Sequence, residues 1–104
     1  MVPPPRVLIV ADDLTGAMDS AGPFAEVGVE TWVVAAPMQC DPATIARARV
    51  VSVNTDSRHL PAAQAATRVR EIVGRLGTGN FDVIVKKVDA QTRAKTSINE
   101  LLRM

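Results

Sequence analysis

Four short apolar runs punctuate the chain, and each gives way to polar or charged residues. Arg6-Val-Leu-Ile-Val-Ala11 is unbroken and rich in β-branched side chains, the pattern of a strand covered on both faces. Thr31-Trp-Val-Val-Ala35, Val50-Val-Ser-Val53 and Phe81-Asp-Val-Ile-Val85 repeat it. Between the first two runs, Ala17, Ala21, Phe24 and Ala25 recur at helical spacing, with Thr15 as the expected N-cap and Gly28 as the stop. Pro23 falls inside that helix, where it costs about 3 kcal/mol unless the helix bends or breaks, so a bend or break is expected. Asp41 to Arg47 reads as a short helical turn. Pro61 opens the clearest helix. Ala62, Ala65, Ala66, Val69, Ile72, Val73 and Leu76 share one face of it, and Gly77 ends it. Thr92 to Leu102 carries a weaker helical pattern, and the three prolines at 3–5 make the start an irregular lead-in.

Strand and helix in alternation predict an α/β domain: a three-layer, Rossmann-like sandwich around a mostly parallel sheet of about four strands with right-handed crossovers. At 104 residues the chain suits one domain. It can bury roughly 60–68% of its unfolded surface, enough for one core. Its apolar fraction of 47% and charged fraction of 22% are globular proportions. The longest purely apolar run is five residues, against the ~20 of a membrane span. No basic start leads into an apolar block. One cysteine, Cys40, makes no internal disulfide and no Cys-rich zinc site. The expected compartment is the cytoplasm.

Charge is unevenly divided. Residues 1–56 hold seven acids and three bases, a net of −4, and residues 57–104 hold nine bases and four acids, a net of +5. A basic half raises the question of nucleic acid. Here the bases are scattered and no exposed aromatic side chains are expected to interleave with them, so no nucleic-acid partner is expected.

Ligands of open α/β sheets sit beyond the carboxyl ends of the strands, and those ends are where this chain concentrates its polar residues. The first run ends in Asp12-Asp13-Leu14-Thr15-Gly16. An aspartate there can bind a metal, take a proton from a hydroxyl or accept hydrogen bonds from sugar hydroxyls. It can equally be a helix cap beside a solvated neighbour. Thr15 and Gly16 bring the N–H groups of a helix start, which favour an anionic group. Gly16 also lets backbone approach closely or lets helix pack on sheet.

The third run ends in Asn54-Thr-Asp-Ser-Arg58, where Arg58 can grip a carboxylate or phosphate with parallel hydrogen bonds, or pair with Asp56. The fourth ends in Lys86-Lys87, two residues expected on opposite faces, with Lys87 the one turned to the site. Asp89 and Arg93 extend the same rim. His59 reads as a loop histidine without a metal-binding companion. Gly74-Arg-Leu-Gly77-Thr-Gly79 follows a helix and precedes a strand, the reverse of a phosphate cradle. No G-x-x-x-x-G-K-[ST] is present.

Taken as strings, Val10-Ala-Asp-Asp-Leu-Thr-Gly-Ala-Met-Asp19 with Phe24-Ala25 and Gly28, then Val53-Asn-Thr-Asp-Ser-Arg58, then Lys86-Lys-Val-Asp89 with Arg93, resemble in order the three signatures of the four-carbon acid sugar kinase family. The resemblance implies an ATP- and Mg2+-dependent kinase, a phosphotransferase to an alcohol group acting on tetronates such as threonate, erythronate or a 3-oxo derivative. It implies an N-terminal sugar-acid-binding α/β domain followed by a nucleotide-binding domain. Residues 1–104 would then be an incomplete form of the first domain, with the second absent and ATP and Mg2+ not bound by this chain alone. Carried over by position, Asp12, Asp13, Arg58, Lys87, Asp89 and Arg93 contact the sugar acid, beside Thr15 and Gly16 at the helix start, and Asp12 is the expected base.

The family string Lys-x-Asp-Ser-Thr-x-Arg-Gly reads here Lys87-Val-Asp-Ala-Gln-Thr-Arg-Ala94, without the paired Ser-Thr hydroxyls and without the glycine. A substrate-binding portion inactive alone, truncated or degenerate, fits that departure.

Two other classes compete. A receiver-like phospho-acceptor module would use the paired acids, Asp56 and a late lysine around Mg2+. A non-catalytic fragment would persist as a homodimer through an uncovered sheet edge.

Overall fold

The computed structural model describes residues 5–87. Within them lie β1 (Val7–Ala11), α1 (Leu14–Glu26), β2 (Thr31–Val34), β3 (Val50–Asn54), α2 (Ala62–Leu76) and β4 (Val83–Lys87). Short 3-10 turns at Pro37–Gln39, Pro42–Ile45 and Thr78–Asn80 join them. The helical reading of 92–102, together with Asp89 and Arg93, lies outside the described residues.

The four strands form one parallel sheet in the order β2-β3-β1-β4. Burial follows that order. β1 and β3, central and covered on both faces, are buried almost throughout, as their unbroken apolar runs demand. β2 and β4 flank them and leave Trp32, Val33 and Val83 partly open.

Alternation along the strands divides the interior in two. Leu8 and Val10 lie beside Val51 and Val53, and with Val34, Ile45, Ala48, Ile72 and Leu76 they form the core under α2. The opposite face of β1 and β3 meets α1 through Ala17 and Ala21, both buried. There the buried Ser52 donates its hydroxyl to the Ala17 carbonyl at 2.7 Å. A hydroxyl is tolerated at that depth only because it is paired.

At the amino edge of the sheet Arg6 acts as a clasp. Its guanidinium donates to the carbonyls of Ile45, Ala48 and Asn80 at 2.8–3.1 Å and lies 4.7 Å from the centre of the Phe81 ring.

Three local expectations need correction. Asp13, not Thr15, is the N-cap of α1: its backbone is extended and its Oδ1 accepts from Gly16 N at 2.7 Å. The carboxylate wins because it sits one residue before the first helical turn, where a side-chain oxygen reaches the third helical amide. Of the bend or break expected at Pro23, the break does not occur, and α1 runs on through it to Glu26. Pro23 and Asp19, whose carbonyl loses its partner, are both exposed, so water can satisfy that group. Finally, Ala62 and Ala66 of α2 are exposed, while Ile72 and Leu76 are buried. The helix is anchored through its second half.

Candidate functional site

The register of the sheet brings the predicted strand ends level. Ala11 lies beside Asn54 of β3 on one side and Lys87 of β4 on the other. β1 and β3 are neighbours, yet the chain leaves β1 for α1 on one face and β3 for α2 on the other. Adjacent strands whose connections part to opposite faces open a crevice at their carboxyl ends.

That crevice is stitched rather than loose. Ala11 O accepts from both the amide and the hydroxyl of Thr55 at 2.8 Å. Asp12 O accepts from the amides of Ser57 at 3.0 Å and Arg58 at 3.2 Å. The buried hydroxyls of Thr55 and Ser57 are hydrogen-bonded to each other at 2.8 Å. The backbone of the first signature thus carries that of the second.

Side chains complete the cluster. The two carboxylate oxygens of Asp13 are divided: Oδ1 caps Gly16 N and Oδ2 receives Arg58 Nη1 at 2.9 Å. Arg58 reaches a partner 45 residues away, with its side chain 55% exposed and that of Asp13 30%. The alternative pairing with Asp56 is not the one formed. Gly16 is needed here for space: a Cβ on it would stand 2.8 Å from Asp13 Oδ1, and the stem of Lys87 is next nearest at 3.7 Å. Lys87 therefore flanks the start of α1 on the α1 face of the sheet. Lys86 lies beside Val10 and belongs to the α2 face.

Asp12, half-buried, opens the turn between β1 and α1, and Thr15 is exposed in the first turn of α1. So Asp12, Asp13, Thr15, Gly16, Arg58 and Lys87 occupy one rim. His59 is exposed in the following loop.

Sequence reasoning missed the turn that aims Arg58. Asp56 adopts a left-handed φ of 51°, a conformation Asp accepts more readily than most residues. Its amide donates to Asn54 Oδ1 at 2.9 Å, and its carbonyl accepts from Arg68 Nη1 of α2 at 2.8 Å. The Asn-Thr-Asp string carries a signal for such a turn. Arg68 leaves none, because it stands twelve positions further along the chain, within α2. A cleft of about 400 Å3 opens on this α2 side, between Pro37–Gln39, Asn54–Asp56, Arg68 and Glu71. None of Asp12, Asp13, Thr15, Gly16, Arg58 and Lys87 lines it.

Among the described residues no three His, Cys, Asp or Glu side chains stand together as a metal site. Gly77, with φ 82°, closes α2 and leads through a 3-10 turn to β4, so the Gly74–Gly79 stretch opens no helix onto a phosphate. Among the described residues there is thus neither a glycine-rich phosphate loop of the G-x-x-x-x-G-K-[ST] kind nor a cluster of three metal-ligating side chains. No described helix is long and apolar enough to cross a membrane.

Comparison with known proteins extends this picture. D-threonate kinase of Bordetella bronchiseptica is 41% identical over 92 residues, 86% of this chain and 22% of that enzyme. The chain spans about a fifth of the length of the curated kinases it matches. The crystal structure of a domain of unknown function from the same organism, a domain-swapped dimer with bound citrate, superposes with a TM-score of 0.71. It is 42% identical and covers 86% of this chain and 23% of that one. A stretch of 21 residues, 20% of this chain, is also 95% identical to 2,3,4,5-tetrahydropyridine-2,6-dicarboxylate N-succinyltransferase of Ralstonia nicotianae, of which it spans 8%. Residues 7–95 match the model of the sugar-binding N-terminal domain, and the chain belongs to that family.

Proposed function

We propose that this chain is the sugar-acid-binding part of a kinase for four-carbon acid sugars such as threonate or erythronate. The observation that carries the reading is the meeting of Arg58, Asp13 and Gly16 beside Asp12 and Lys87, at three strand ends held level by the sheet. Family membership and the kinase relatives support it. Citrate, a hydroxy-carboxylate, is bound in the solved relative.

In this reading the ligand carboxylate lies against the cations of Arg58 and Lys87. Asp13, occupied by the helix cap and by Arg58, holds the guanidinium rather than the ligand. Asp12 accepts a hydrogen bond from the sugar-acid hydroxyl and takes its proton as that oxygen becomes the nucleophile. Asp89 and Arg93 would extend the grip, as the resemblance implies. In kinases ATP with Mg2+ supplies the phosphoryl group. A separate nucleotide-binding domain brings it here, and this chain alone gives binding without turnover.

Titration calorimetry with threonate and erythronate tests the reading. Weak binding is expected, reduced about tenfold or more by Arg58→Ala, the loss of a charge-assisted pair. Asp12→Asn keeps binding within a few-fold here. At the matching aspartate of a full-length relative, the same change lowers turnover ~10²-fold or more. No heat with either acid, together with an inert arginine change in that relative, sinks the reading.

The sheet order supports this reading over the phospho-acceptor one, since doubly wound sheets of the flavodoxin type run 2-1-3-4-5 and this one runs 2-3-1-4. A homodimer through the outer edge of β2 or β4 is part of the proposal. Light scattering at twice the 11.1 kDa chain mass supports it, and a strict monomer removes it.

A further inference from the structure

The structure assigns Arg68 as a positioning residue for the Arg58 anion grip, acting across the sheet edge through the carbonyl of Asp56. The inference rests on the sugar-acid reading for its consequence in binding, although the positioning itself does not depend on which ligand is held.

Arg58 can meet Asp13 only if the chain reverses sharply after β3. The reversal is made at Asp56, whose φ of 51° lies where side chains other than glycine are disfavoured. Such a residue persists when its surroundings over-determine it. At Asp56 the restraints come from two sides. Its amide is held by Asn54 Oδ1, whose own amide group donates to Ala35 O at 3.2 Å. Its carbonyl is held by Arg68 Nη1 at 2.8 Å. The next two amides, those of Ser57 and Arg58, turn back to Asp12 O, and only then does the Arg58 guanidinium reach Asp13 Oδ2.

Asn54 is local to the turn. Arg68 is not: it projects from α2, which packs on the face of the sheet opposite α1. It thereby ties the position of α2 to the position of Arg58. A charge-assisted bond to a carbonyl suits this task, because the planar guanidinium holds direction as well as distance.

The test uses the full chain with Arg68→Ala, Arg68→Lys and Arg68→Ala/Asp56→Gly, read by amide hydrogen exchange and by threonate titration. In Arg68→Ala, exchange of the Ser57 and Arg58 amides speeds up about tenfold or more, while Val51 and Val53 in β3 stay protected. Lysine recovers part of the protection. Glycine at 56, which adopts positive φ freely, recovers most of it. Unchanged exchange at 57 and 58 overturns the inference. So does an equal loss across β3, which would mark Arg68 as a general stabiliser.

Threonate affinity is expected to fall several-fold in Arg68→Ala and not to fall further when Arg58→Ala is already present, since the effect passes through Arg58. An additive loss overturns the inference. Faster exchange at 57 and 58 in a chain that binds neither threonate nor erythronate upholds the positioning of Arg58, and the sugar-acid reading then falls separately if the arginine change is also inert in the full-length relative.

Discussion

At the scale of single residues, Asp13 does more than either expectation for it. Its expected role as a helix cap is filled by one carboxylate oxygen, and the other receives Arg58. The two bonds differ in worth. The cap contributes about 0.5–2 kcal/mol. The ion pair, with Arg58 more than half exposed, contributes ~0–1 kcal/mol to stability after solvent screening. Asp13→Asn should therefore keep most of the melting temperature, because an amide oxygen still caps, and should lose anion affinity. Asp13→Ala should lose both, with about 1 kcal/mol of stability seen in urea unfolding. Equal stability of the two variants would show that the cap contributes little.

The aspartate doublet, Gly16 and Arg58 were all legible as strings. Their bonds were not: a pair 45 residues apart is set by strand register and carries no local signal.

Among the elements, β1 and β3 were the most readable, since strands buried on both faces need continuous apolar runs and few other segments have them. The helices were readable in place but not in detail. Pro23 argued for a bend or break in α1, and the break does not occur; Asp19, whose carbonyl loses its amide partner, is an exposed residue, so water can satisfy that group. The proline still removes a hydrogen bond and crowds the preceding turn. Pro23→Ala is expected to stabilise the chain by about 1–3 kcal/mol, seen as a higher denaturation midpoint. A lower midpoint would show that the ring is packed rather than tolerated.

In α2 the apolar face was read to run from Ala62 to Leu76, yet only its second half is buried. Periodicity reports which residues share a face. It does not report how far a neighbouring layer extends beneath them.

On the scale of the whole molecule, the chain shows two unequal similarities. Kinase relatives match most of it at 34–41% identity, whereas a 21-residue stretch is 95% identical to an N-succinyltransferase. The family match leaves only six residues before it and nine after, so that stretch overlaps it. The string departs from the kinase signature at Ala90-Gln-Thr-Arg-Ala94. The near-identical stretch is accordingly expected at the carboxyl end, joined to kinase-like sequence around Lys86-Lys87. Sequencing genomic DNA across codons 80–104 checks this. Recovery of the kinase string Asp-Ser-Thr-x-Arg-Gly there would show that the gene carries no such junction.

By itself the sequence determined the class of fold and the chemistry on offer. Apolar runs without interruption can be stable only as covered strands, and ionised residues clustered at the run ends cannot be buried with them, so they collect along one edge. The tertiary structure decided which of those residues meet. Side-by-side pairing of β1 and β3, with departures to opposite faces, places Asp12 and Asp13 under Arg58, and a helix on the far face holds the turn that aims it. Those relations depend on strand order and register, which are set by the packing of the whole core rather than by any stretch of residues within it.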